Sequence, residues 1–304
     1  MSASESPIAA LPPFLTLLTL PSPFADHPGV VHLLEPADTP QEALQERLRD
    51  GSYDKPFLLE DAHVRGLLFG LEYIQSSMRL AAPDALDLIY TQYMMGFLLF
   101  HTNVKRIALL GLGGGSLAKF CYRHLPDADL TAIEADANVL AFRDAFCIPP
   151  DDARFHAVQA DAGQFIVERA AGPSRDANFD VLLVDVFDGK GLADSVTAQD
   201  FYHQARRCLA AKGVLVANLT GTAAERSAHL DLIHHAFGDN LLLVSVDDAC
   251  NHVAFAFQDR NFEPRWKWID GQAAAMQRRF GLDFAKMARE LQHNWRYGWE
   301  MVRL

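Results

Sequence analysis

The strongest constraint on this chain is a regular alternation between Val104 and Gly221. Short, almost wholly apolar runs appear as VKRIALLG (104–111), DLTAIEA (129–135), RFHAVQA (154–160), FDVLLVD (179–185) and GVLVANLTG (213–221). Between them lie GSLAKFCYRH (115–124), NVLAFRDAF (138–146), DAGQFIVERA (161–170) and TAQDFYHQARRCL (197–209), with apolar residues at helical spacing. Strands apolar on both faces need cover on both faces, and amphipathic helices between them supply it, which predicts a parallel sheet wrapped by helices. A helix over AAERSAHLDLIHHAFG (223–238) continues the pattern. LLLVSVD (241–247) and NHVAFAF (251–257) follow with a link too short for a crossover helix, so they are predicted to pair antiparallel.

Upstream, Lys55–Met78 breaks into short β-prone runs divided by Asp61-Ala62-His63 and by Gly70, which predicts a small module of two or three antiparallel strands. One helix is expected from Pro83 through Leu98, and two more in the tail after Arg265. The organisation read from this is an arm and β module over 1–82 and an α/β domain with C-terminal helices over 83–304. The opening MSASESPIAALPPFLTLLTLPSPF is apolar, yet it has no basic start, carries Glu5 and is interrupted by Pro7, Pro12, Pro13, Pro21 and Pro23. It reads as an extended arm packed on the body or on a partner copy, not a leader or membrane span, which predicts a cytoplasmic homodimer or higher homo-oligomer.

Charge narrows the choice of partners. With 27 Lys and Arg against 39 Asp and Glu, the formal charge is −12, which repels a nucleic-acid backbone and draws in small cations. Cys121, Cys147, Cys208 and Cys250 are too scattered for a disulfide framework or a zinc site, so no metal is expected. His203, His234, His235, Met94 and Met95 sit on helical stretches and read as packing or solvated surface.

In an open α/β sheet, ligands bind beyond the carboxyl ends of the strands. The first strand here ends in Gly111-Leu112-Gly113-Gly114-Gly115-Ser116, where missing Cβ atoms permit close backbone approach at a helix N-terminus. A nicotinamide-binding turn would want Gly or Ala where Ser116 stands. Glu134 closes the second strand, where a carboxylate can take both hydroxyls of a ribose. Asp161 follows the third strand, placed to address an adenine edge with the Ala162 N–H, and Asp185 ends the fourth. Each aspartate alone is equally well explained as a helix N-cap. Taken together with the antiparallel final strand, they point to a Rossmann-like, S-adenosylmethionine-dependent methyltransferase fold in preference to a dinucleotide fold.

From Lys55 to Phe257 the chain resembles the spermidine synthase family of polyamine aminopropyltransferases. The resemblance is carried by the β module ending near Gln75, the helix bearing Tyr90, the glycine turn, and the runs E-A-D, A-D-A and D-V-F-D. It implies a transferase moving an aminopropyl group from decarboxylated S-adenosylmethionine to a di- or polyamine. Gln75, Gly111, Gly113, Gly115, Glu134, Asp161 and Ala162 would hold the donor nucleoside, Asp185 would be the base, and Tyr90 and Asp188 would line the amine site. A diamine is protonated near neutral pH, so one nitrogen must lose its proton before attacking while the distant ammonium gains from an anion; Asp185 and Asp188 suit those two needs. For Asp188 the other reading is a turn residue before Gly189.

The chain also departs from that family. G-G-G-D-G becomes Gly111-Leu112-Gly113-Gly114-Gly115, D-E-x-x-Y-x-E becomes Leu86-Asp87-Leu88-Ile89-Tyr90-Thr91-Gln92, and LLLVSVDDACNHVAFAF holds no tyrosine. Two other readings therefore stand beside the first: a methyltransferase using intact S-adenosylmethionine, for which Gly114 removes a repelling charge, and a non-catalytic nucleoside-binding protein.

Overall fold

A computed structural model of the chain describes residues 15–71, 74–172, 178–188, 191–198, 200–246 and 251–297, with the backbone alone at 188, 191, 192 and 297. Alternating burial along the first segments makes a meander of five antiparallel strands: β1 (Thr16–Pro21), β2 (Val30–Glu35), β3 (Phe57–Glu60), β4 (Val64–Leu68) and β5 (Ile74–Arg79). Helix α1 (Gln41–Arg49) turns Leu44 and Leu48 onto a small core with Leu20, Val31, Leu33 and Phe57. Lys55–Met78 thus carries three antiparallel strands, as expected, and the module gains two more, β1 and β2, from residues before Lys55. Part of the expected arm is its first strand, Thr16–Pro21 pairing with Val30–Glu35, and the prolines at 21 and 23 end that strand without preventing it. Residues 1–14 of the arm lie outside the described residues.

The helix expected from Pro83 starts later. Residues 83–88 form turns, with Asp87 held by Arg79 at 3.1 Å and accepting from Ser77, and α2 (Ile89–Met94) then tightens into a 3₁₀ turn at Met95–Leu99. Met94 and Met95 are fully buried, as their packing role requires.

The main sheet follows the expected alternation. It runs β6 (Arg106–Leu110), α3 (Ser116–His124), β7 (Asp129–Glu134), α4 (Ala137–Ala141), β8 (Phe155–Gln159), α5 (Ala162–Ala171) and β9 (Phe179–Val184). A short hairpin, β10 (Phe187–Asp188) with β11 (Gly191–Leu192), leads to α6 (Asp194–Thr197) and α7 (Phe201–Arg207), so the helix expected over 197–209 runs over 201–207. The chain continues through β12 (Leu209–Leu219), α8 (Ala223–Phe237), β13 (Leu241–Ser245), β14 (His252–Phe257), α9 (Trp266–Phe280) and α10 (Phe284–Tyr297).

The seven strands order as β13-β14-β12-β9-β6-β7-β8, with β14 antiparallel to both neighbours and the pairs from β12 to β8 all parallel. Successive residues feed opposite layers: Ile107 and Leu109 pack on the side of α3 and the tail helices, Ala108 and Leu110 on the side of α5, α7 and α8. The tail helices belong to the body, since Phe284, Met287 and Leu291 join the core that holds Met94 and Met95, and Tyr93 donates to Glu290 at 2.8 Å.

Lys119 of α3 is 2% exposed, with its ammonium donating to the Phe146 carbonyl at 2.7 Å. Burial pushes its pKa down to about 8 from 10.5. Between those values the unfolded chain binds a proton that the folded chain does not, so stability attributable to Lys119 rises with pH across that window. We expect the stability difference between wild type and Lys119→Met, from denaturant titration, to shift in favour of wild type by about 3 kcal/mol between pH 7.5 and 11.

Candidate functional site

At the carboxyl ends of β6, β7, β8 and β9 the main sheet faces the N-terminal module across a cleft of about 760 Å³. Its floor begins with the glycine turn. Gly111 takes φ +88°, and a Cβ there would sit 2.1 Å from the Asp185 carbonyl oxygen, so no side chain fits and the left-handed backbone excludes most residues anyway. Gly115, at φ +69°, is the N-cap of α3, and a Cβ on it would strike Ile148 at 2.4 Å. The turn is braced from the next strand: Glu134 Oε2 accepts from the N–H groups of Leu112 (3.1 Å) and Gly113 (3.3 Å), while Oε1 accepts from Asp136 (3.0 Å). Each oxygen keeps acceptor capacity for a ligand hydroxyl.

Asp161 does two things. It caps α5 by accepting from the Gln164 N–H at 2.9 Å, and with Ala162 it lines the cleft. Asp185 sits where β9 leaves the sheet, its carboxylate held from two sides: Tyr90 donates to Oδ2 at 3.1 Å and Asn218 donates to Oδ1 at 3.0 Å. Burial pushes its carboxyl above the ordinary carboxylate range, the two hydrogen bonds pulling the other way. An enclosed carboxylate with a raised proton affinity is a competent proton acceptor.

Of the residues expected from sequence, Gln75, Tyr90, Gly111, Gly113, Glu134, Asp161, Ala162 and Asp185 all line this one cleft. Gly115 stands behind it, starting α3. The Asp188 side chain lies outside the described residues; its backbone enters the β10–β11 hairpin. Asp87 and Gln92 are engaged locally, Gln92 donating to the Leu86 carbonyl at 2.9 Å. At Gly114, a Cβ would lie 2.6 Å from Ser76 Oγ and 2.9 Å from the Phe146 ring, so the space beside the turn is already filled from β5 and from the loop after α4.

Sequence reading passed over Ser76, Ser195 and Asn218. Ser76 and Ser195 line the cleft, and the Ser195 hydroxyl is buried with no hydrogen-bond partner among the described residues. Asn218 did carry a signal: it is the one polar side chain in the apolar run VLVANL, at the strand end nearest the ligand side of the sheet.

A glycine turn clasped by the carboxylate of the next strand, on a sheet with this strand order, gives the chain the Rossmann-like methyltransferase fold. Two solved structures share that fold: a probable spermidine synthase from Corynebacterium glutamicum, with TM-score 0.59 and 20% identity over 74% of this chain and 84% of that one, and human methyltransferase-like protein 13 in complex with SAH, with TM-score 0.59 and 21% identity over 64% and 93%. The sequence model of the spermine/spermidine synthase domain matches residues 87–238. The polyamine aminopropyltransferase of Chromobacterium violaceum is 33% identical over 234 residues, covering 77% of this chain and 87% of its own. The chain belongs to the spermine/spermidine synthase family.

The Gly111 contact gives a direct check on the site. We expect Gly111→Ala to cost about 3 kcal/mol in denaturant unfolding, because it adds both a strained φ and a clash with the Asp185 backbone; a loss below 0.5 kcal/mol would show, to within roughly that figure, that turn and strand are not held in contact.

Proposed function

We propose that this chain transfers an aminopropyl group from decarboxylated S-adenosylmethionine to a small di- or polyamine, with Asp185 as the base. The observation that carries the reading is the Asp185 carboxylate, fixed by Tyr90 and Asn218 in the same cleft as Glu134 and the Asp161–Ala162 step.

Glu134 takes the ribose hydroxyls of the donor, and Asp161 with the Ala162 N–H addresses the adenine edge. Gln75 and the backbone of Gly111 and Gly113 line the stretch between, with Gly115 shaping the turn from behind. The acceptor enters as an ammonium, drawn by the negative cleft. Asp185 removes one proton from it, and Tyr90 orients the carboxylate. The freed nitrogen attacks the propyl carbon bonded to sulfur; the new C–N bond forms as the C–S bond breaks, and its electron pair returns to sulfur, leaving neutral methylthioadenosine. Asp188 holds the far ammonium of the acceptor.

Several carboxylates line the cleft, Glu134, Asp136, Asp161, Asp185 and Asp194 among them, and this supports a donor without its own carboxylate. As part of the same reading, the enzyme works in the cytoplasm as a homodimer or higher homo-oligomer.

We expect Asp185→Asn to lower kcat by about 10²- to 10⁴-fold, measured as methylthioadenosine release across an amine panel, with donor Kd changed less than about threefold. Wild-type turnover in that variant removes Asp185 as the base. In calorimetric titration, decarboxylated donor should bind at least about fivefold more tightly than intact donor; tighter binding of intact donor would favour methyl transfer instead.

A further inference from the structure

Asn218 occupies a position that packing alone does not explain. It lies on β12, where the parallel register Ala217 with Val184 brings it alongside Asp185, and it is 3% exposed between the buried Ala217 and Leu219. Its carboxamide spends one donor on Asp185 Oδ1, while its own Oδ1 is buried with no hydrogen-bond partner among the described residues. A buried strand position of this kind is better filled by an apolar side chain, since an unpaired buried polar atom carries a desolvation penalty. Only the NH₂ end of the amide can donate to a carboxylate, which settles its orientation.

We propose that Asn218 is a positioning residue for the reaction: it anchors Oδ1 of Asp185 from behind and leaves Oδ2, beside Tyr90, as the oxygen that receives the proton. The inference rests on the reading of Asp185 as the base. Tyr90 and Asp185 both line the cleft, and Tyr90 marks Oδ2 as the cleft-side oxygen. Without the anchor the carboxylate swings more widely about its Cβ–Cγ bond, and the lone pair facing the cleft loses its fixed direction. With it, one lone pair of Oδ2 keeps a fixed aim at the incoming nitrogen.

The groups around Asp185 make the anchor measurable. Tyr90 on α2 is the titratable side chain bonded to it; β6 presents the backbone of Leu110 and Gly111 there, and β12 presents Asn218. Glu134, Asp136, Asp161, Asp194 and Asp54 are the other carboxylates of the cleft, and they, like Asp188, stay constant across the variants. A hydrogen bond from Asn218 favours the ionised carboxylate, so its removal raises the Asp185 titration midpoint.

The experiment is a ¹³C carboxylate NMR titration of the full-length protein, wild type against Asn218→Ala, paired with the pH profile of kcat/KM. We expect the Asp185 midpoint to move up by about half a pH unit or more, the acid limb of kcat/KM to move with it, and kcat to fall about tenfold, while Kd for methylthioadenosine changes less than about twofold. Asn218→Ser, which is smaller and keeps a weak donor, is read the same way with a smaller shift and serves if the alanine variant does not fold. An unmoved midpoint, or an acid limb that stays in place, overturns the role of Asn218 while leaving Asp185 as the base. A moved midpoint in a protein whose Asp185→Asn variant turns over normally overturns Asp185 as the base, and the assignment of Oδ2 with it.

Discussion

The active end of this molecule depends on how closely two neighbouring strands approach as they leave the sheet. Gly111 sits so tightly against Asp185 that a methyl group between them would fall 2.1 Å from the Asp185 carbonyl, and the Asp185 N–H donates to Leu110 at 2.9 Å. The glycine turn and the Asp185 side chain, to which the proposed function gives donor support and proton acceptance, are therefore parts of one backbone junction. Their separation is set by the hydrogen-bonded ladder between β6 and β9, which runs in register from Ile107 with Val181 to Leu110 with Val184. Rigid elements of this kind hold reacting groups better than loops do.

The N-terminal sheet completes the cleft from the other side. Ser76 of β5 presses over the glycine turn, and Arg65 of β4 reaches the Ala145 carbonyl in the loop whose Phe146 and Ile148 pack under the same turn. That loop is also held by Lys119 and by Arg143, whose guanidinium reaches the Pro149 carbonyl. Basic side chains bonded to backbone carbonyls thus stitch module, loop and sheet together, with buried Lys119 the most costly of them in solvation.

Much of this was legible in the residues. The parallel direction of β6 to β9 follows from apolar runs, separated by helices, that can only be buried on both faces, and Glu134, Asp161 and Asp185 were singled out as polar residues at the ends of such strands, where they line one cleft. The strand at Thr16–Pro21 was hidden by its prolines, which suggest a broken segment but stand at its end, where a missing N–H is tolerated. The late start of α2 was hidden because Asp87, which looks like a helix residue by spacing, is bonded to Arg79 and Ser77 instead. Asn218 and Ser76 were passed over because their meaning comes from strand register and module placement, neither of which is written in local spacing.

The β6–β9–β12 order has a consequence for biosynthesis. Asn218 follows Asp185 by 33 residues and reaches it only after the crossover through α6 and α7 has returned the chain to the sheet. During synthesis the Asp185 carboxylate and the glycine turn are therefore already in the chain before the Asn218 amide that bonds to that carboxylate has been added.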